Sequence, residues 1–138
     1  MADFDRDGDL DIVVGHSSSR CDDDCYDSFS VRLMENLMGD DGNFVQLTLQ
    51  GDDGVNGSAI GARVHVTANG IRQTQDVDGG HGHYGNQDDL TLSFGLGEAC
   101  SAEVTIRWPD SGLTEQTFTV GGGYRYTVRP GSQPEAVQ

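Results

Sequence analysis

The chain has 138 residues, the length of one domain or of one domain with an appendage. Its 23 acids and 8 bases give a formal net charge of −15; every base is Arg, and 18 of the acids are Asp. That balance excludes a basic nucleic-acid-binding surface, Asp with 20 Gly disfavours a long helical bundle, and no apolar run approaches the ~20 residues of a membrane span.

High charge and low hydrophobicity can leave a chain unfolded. Here, however, the apolar residues collect into short alternating runs between polar turns, and this predicts folding as a β protein. In chain order the predicted strands are 10–15, 31–36 and 44–50, then 62–68 and 71–77, followed by 90–94, 103–108, 114–120 and 125–129. Within 62–68, Val64 and Val66 share one face while Arg63, His65 and Thr67 share the other. Asn69-Gly70 is a hairpin signal, because both residues tolerate the positive φ of a two-residue turn. Pro109-Asp-Ser-Gly112 reads as a tight turn, and Gly61 as a close backbone approach or bulge. Phe94, Leu96 and Trp108 are the expected bulk of an aromatic-poor core. The fold class expected is all-β, an antiparallel sandwich or barrel-like module.

Residues 3–11 read Asp-Phe-Asp-Arg-Asp-Gly-Asp-Leu-Asp. Carboxylates at alternate positions with a Gly to permit a sharp turn suit a hard cation, and Ca²⁺ takes six to eight oxygens. Asp3, Asp5, Asp7 and Asp11 are candidate side-chain ligands, and Asp9 a candidate backbone ligand. Without a cation these carboxylates repel one another. Ca²⁺ is preferred over Mg²⁺, which rarely accepts a cage made wholly of protein oxygens. An EF-hand is excluded, since Val14 stands where that loop needs Glu.

Ala2-Asp-Phe-Asp-Arg-Asp-Gly-Asp-Leu-Asp-Ile-Val-Val-Gly15 resembles one FG-GAP/VCBS repeat, the blade unit of integrin-like β-propellers. The resemblance implies that Asp3, Asp5, Asp7, Asp9 and Asp11 bind calcium and that Leu10–Val14 enters a blade strand. A second resemblance covers residues 44–130. Asn56-Gly-Ser-Ala-Ile-Gly-Ala-Arg-Val-His-Val-Thr67, Gly79-Gly-His-Gly-His-Tyr84, Phe94-Gly-Leu-Gly97 and Val104-Thr-Ile-Arg-Trp-Pro-Asp-Ser-Gly112 occur in that order. Together they are similar to the ASPIC/UnbV module, which follows FG-GAP/VCBS repeats in secreted proteins of the cartilage acidic protein type and brings no established activity to carry over. The division expected is a repeat remnant at 1–43, the module at 44–131 and a tail at 132–138.

Other chemistry is sparser. Cys21 and Cys25 flank three Asp and could form a short disulfide in an oxidising compartment, leaving Cys100 over. His81 and His83, near several Asp, are a weaker second metal candidate, since Gly neighbours leave them poorly organised. No nucleophile elbow, phosphate loop or metalloprotease motif is present, so no enzymatic activity is expected.

Three functions follow. The leading one is an extracellular, calcium-binding, non-catalytic module for adhesion, matrix or cell-surface contact with a protein or glycan partner; secretion is expected although no signal peptide stands in this chain. The second is a self-assembling fibre subunit whose orphan strand near Leu10–Val14 adds to a neighbouring copy. The third is carbohydrate binding by the sandwich face, with Tyr84, Tyr124 and Tyr126 as candidate platforms, or a weak hydrolase.

Overall fold

A computed structural model describes residues 1–16, 30–37, 42–52, 54–80, 87 and 89–137. Among them the chain is all-β, with ten strands and no helix. Strand β1 (Ile12–His16) pairs antiparallel with β2 (Ser30–Met34) as a two-stranded ribbon. The other eight strands form two four-stranded sheets. They are β3 (Asn43–Leu49), β4 (Arg63–Ala68), β5 (Ile71–Asp76), β6 (Leu92–Gly97), β7 (Ser101–Arg107), β8 (Glu115–Gly121), β9 (Tyr124–Val128) and β10 (Glu135–Val137). One sheet has the order β10-β9-β3-β6 and the other β5-β4-β7-β8. Every pairing is antiparallel except β3 with β9, which is parallel, and neither sheet closes into a barrel.

The alternation in each strand decides what each sheet buries. Val45, Leu47 and Leu49 of β3 share one core with Val64 and Val66 of β4 and Val104 and Ile106 of β7, the arrangement of a β-sandwich. Phe94, Leu96 and Trp108 are all in that core, as expected. The Asn69-Gly70 turn takes positive φ at both residues, 49° and 77°, and sets Ala68 opposite Ile71. Gly61 has φ 99°, and a Cβ there would stand 3.2 Å from Pro109 Cβ, so the close approach read from the sequence is real.

Both open sides of the sandwich are bridged by glutamines on inward-facing positions. Gln73 and Gln75 of β5 stand opposite Val66 and Val64, and their amides donate to the Gly95 and Ser93 carbonyls of β6, both at 2.6 Å. On the other side, Gln116 Oε1 accepts from Trp108 Nε1 and Gly131 N–H, while its Nε2 donates to the Ser132 carbonyl. The segment 132–138, set apart above as a tail, thereby follows an anchored turn and supplies β10.

The turn from β7 to β8 is held by Asp110, whose Oδ1 accepts from Gly112 N–H (3.0 Å) and Thr114 N–H (2.9 Å). Hydrogen bonds from Thr114, its side chain first and then its backbone, hold this carboxyl below the ordinary aspartate range. A depressed folded-state pKa contributes stability that is complete above the unfolded value and is lost as pH falls through the folded one. An NMR titration of the Asp110 carboxyl should therefore show a midpoint below about 3.9; a midpoint at or above that value would contradict the turn geometry.

Candidate metal centre

The Asp-rich loop is closed by paired backbone hydrogen bonds between Ala2 and Asp11. Inside it, Asp5 Oδ1 accepts from Asp7 N–H at 3.3 Å and Asp7 Oδ1 from Asp9 N–H at 3.1 Å, so short-range turns wind the alternating carboxylates. Gly8 takes φ 107° and lies against Phe44; a Cβ there would overlap that ring at 2.0 Å. Glycine at the sixth loop position is thus required both by the turn and by the loop's seat on β3.

Asp11 is 2% exposed and ties two segments together. Its Oδ2 accepts from Phe4 N–H and its Oδ1 from Asn36 N–H, both at 2.9 Å. The Asn36 bond, then the Phe4 bond, hold its carboxyl below the ordinary range, so it is ionised wherever the loop is folded at neutral pH. Asn36 is the second residue after the ribbon, so Asp11 fastens the loop to the ribbon's exit.

Asp3 fastens the same loop to the sandwich. Its Oδ2 accepts from Gln46 Nε2 at 2.6 Å and lies 3.6 Å from Arg125 Nη2. Arg125 Nε in turn donates to Gln46 Oε1 at 2.8 Å. Gln46 alternates away from the core, yet it is 1% exposed because the loop covers that face of β3. The Asp3 side chain is itself only 3% exposed. Its second oxygen, Oδ1, is buried without a hydrogen-bond partner among the described residues.

One carboxylate oxygen from each of Asp3, Asp5 and Asp11 lies within 4.8 Å of the other two. These are three of the five residues that the spacing singled out. Asp7 stands outside that group, its carboxylate turned to Asp9 N–H, and the side-chain oxygens of Asp9 are shielded from solvent. Chemically, three hard anionic oxygens on a tight loop suit an oxygen-seeking divalent cation. Gln46 and Arg125, which hold Asp3 in place, were not identifiable in advance. They are 79 residues apart, and each looks like an ordinary polar position on an alternating strand.

Of the remaining candidates, Cys21, Cys25, His81, His83 and Tyr84 lie outside the described residues. Cys100 is an exposed free thiol. His65, expected on the polar face of its strand, shares a 2.7 Å hydrogen bond with Thr74 across the β4–β5 pairing. Tyr126 is buried, bonded through its hydroxyl to Gly121, and Tyr124 is exposed beside it.

A family model described as ASPIC and UnbV matches residues 52–135, from the loop after β3 to the start of β10. The comparisons with curated proteins and with solved structures returned no significant match. The matched segment is well over half of the chain and carries six of the eight sandwich strands whole, β4 to β9, and the protein belongs to the ASPIC and UnbV family.

Proposed function

We propose that the protein is an extracellular, non-catalytic β module in which calcium fastens the Asp-rich loop to the sandwich, presenting its surface for adhesion, matrix or cell-surface contact. The observation that carries this reading is Asp3. A buried carboxylate with one oxygen unpartnered among the described residues, set against two further carboxylates, is costly unless a cation completes it. Asp3, Asp5 and Asp11 would hold the ion, with other loop oxygens filling the coordination that Ca²⁺ requires. The likeness of residues 2–15 to an FG-GAP/VCBS repeat supports the same assignment and the extracellular setting, where a Cys21–Cys25 disulfide would also persist. The test is the calcium dependence of thermal unfolding in the native chain and in an Asp3→Asn variant.

A second reading, self-assembly, is favoured by the ribbon. Ile12, Val14 and Met34 are exposed on one face, and Val13, Val31 and Leu33 on the other, at 40–75% of their surface. A two-stranded ribbon apolar on both faces is marginal by itself and suits the interior of a larger sheet. Strand pairing with a second copy would cover it. Sedimentation should then show concentration-dependent polymers that vanish in a Val13→Asp/Leu33→Asp double variant. A native chain that stays monomeric, or a variant that still polymerises, would remove this reading.

A further inference from the structure

Beside the loop, between it and strands β3, β9 and β10, lies an open cavity of about 320 Å³, a volume in the range that holds small ligands. Its lining combines two guanidiniums, Arg6 and Arg125, with two aromatic rings, Phe44 and Tyr124, and also includes Gln46 and Asp3, whose carboxylate is already engaged by Gln46 and Arg125. This is unusual company in a chain with eight Arg and ten aromatics, and with acids outnumbering bases almost threefold.

The groups are organised to different degrees. Arg125 is held in orientation by Gln46 and Asp3, which occupy its Nε and one edge of Nη2 and leave the rest of its fork of donors for a ligand. Phe44 is wedged against Gly8, and Tyr124 is set edge-on to Tyr126 with ring centroids 6.2 Å apart. Arg6 is the only basic residue in the Asp-rich loop, has φ 68°, and makes no hydrogen bond or ion pair with any described residue. A non-glycine residue at positive φ is a position the surrounding structure has to impose, and such positions cluster at binding sites.

The geometry points to this cavity as a binding site for a hexuronate, free or at the end of an acidic polysaccharide. Its carboxylate would sit between Arg6 and Arg125, and its pyranose ring against Tyr124 and Phe44. The carboxylate answers the two guanidiniums that line the cavity, groups that favour planar two-oxygen anions. The ring answers the aromatic surface, which a bare carboxylate such as acetate would leave uncovered. The site rests on the calcium reading in one respect: the ion would stiffen the loop that carries Arg6, so Ca²⁺ should tighten binding. Asp3 and Arg125 belong to both arrangements, whereas the side chains of Arg6 and Tyr124 belong to the cavity alone.

Isothermal titration of the full chain with D-glucuronate, D-galacturonate, glucose and acetate tests the site, each in Ca²⁺ and in EDTA. Thermal unfolding with and without Ca²⁺ is measured on the same samples. For a ligand of this size the expected Kd in Ca²⁺ is about 1 mM, with at least tenfold weaker binding of glucose and acetate. Arg6→Ala and Tyr124→Ala should each weaken hexuronate at least tenfold while keeping the full calcium-induced rise in melting temperature. A tighter Kd for a glucuronate-terminated disaccharide than for the free acid assigns the site to a polysaccharide end; an equal Kd assigns it to the free acid. Should the melting temperature respond to calcium but no hexuronate bind, the cavity assignment alone is overturned. Should it ignore calcium, the metal reading falls, and hexuronate binding in EDTA that disappears in Arg6→Ala still upholds the cavity. Equal binding of acetate or glucose, or unchanged binding in both variants, refutes it.

Discussion

Calcium at about one hundred times its Kd should stabilise the native chain by about 2.7 kcal/mol, which for a domain of this size raises the unfolding midpoint by roughly 10 °C. EDTA should reverse the rise. The Asp3→Asn variant keeps the shape of the side chain and removes the charge that has no direct substitute in the cluster, so its calcium response should be lost. Asp7→Asn is the informative control. Asp7 lies outside the group of three converging oxygens and serves a local turn, so most of the response should survive there. A calcium-insensitive midpoint in the native chain would eliminate the proposed role of the ion. Equal losses in both variants would mean that the coordinating set is wider than Asp3, Asp5 and Asp11.

Trp108→Ala should be the most damaging single substitution in the sandwich. Trp108 is the only tryptophan, is 1% exposed and is the largest fully buried side chain. Truncating such a residue costs about 3–5 kcal/mol through lost transfer energy and the cavity left behind, against a typical total stability of about 5–15 kcal/mol. It also removes the indole N–H that Gln116 accepts at 3.0 Å, loosening the bridge from β8 to the 131–132 turn. Trp108→Phe retains most of the apolar volume and Gln116 keeps its Gly131 partner, so that variant should lose markedly less. Chemical denaturation followed by circular dichroism measures both. Similar midpoints for Trp108→Ala and the native chain would mean that the core collapses around the gap.

The strands were legible because their physics is local. Alternation in 62–68 places Val64 and Val66 inward, and Asn69-Gly70 makes its hairpin, without help from distant residues. The three-residue β10 escaped notice because Glu135-Ala-Val137 has no apolar run, and its pairing is conferred by β9. The parallel β3–β9 pairing was equally illegible, since no turn connects those strands to announce it. In the candidate site, the spacing of Asp3, Asp5 and Asp11 was visible in nine residues of sequence. What seats the loop was not: Gln46 is buried only because another segment covers it, and Arg125 reaches it only through the β3–β9 register. Gln73 and Gln75 show the same limit, polar residues on the inward face of β5 that make sense only once β6 lies beside them.

The parallel neighbours β3 and β9 also set an order of assembly. Loop closure between residues 46 and 125 must precede the combined hold of Gln46 and Arg125 on Asp3, and such long-range pairings are made slowly. Although Asp3 precedes every strand in this sequence, its ion pair with Arg125 waits for nearly the last strand. A chain truncated before β9 would carry the whole acidic loop and β3 and still lack Arg125, the cation that completes the hold on Asp3. Tight occupation of that loop by a cation would therefore report a finished sandwich rather than a merely synthesised one.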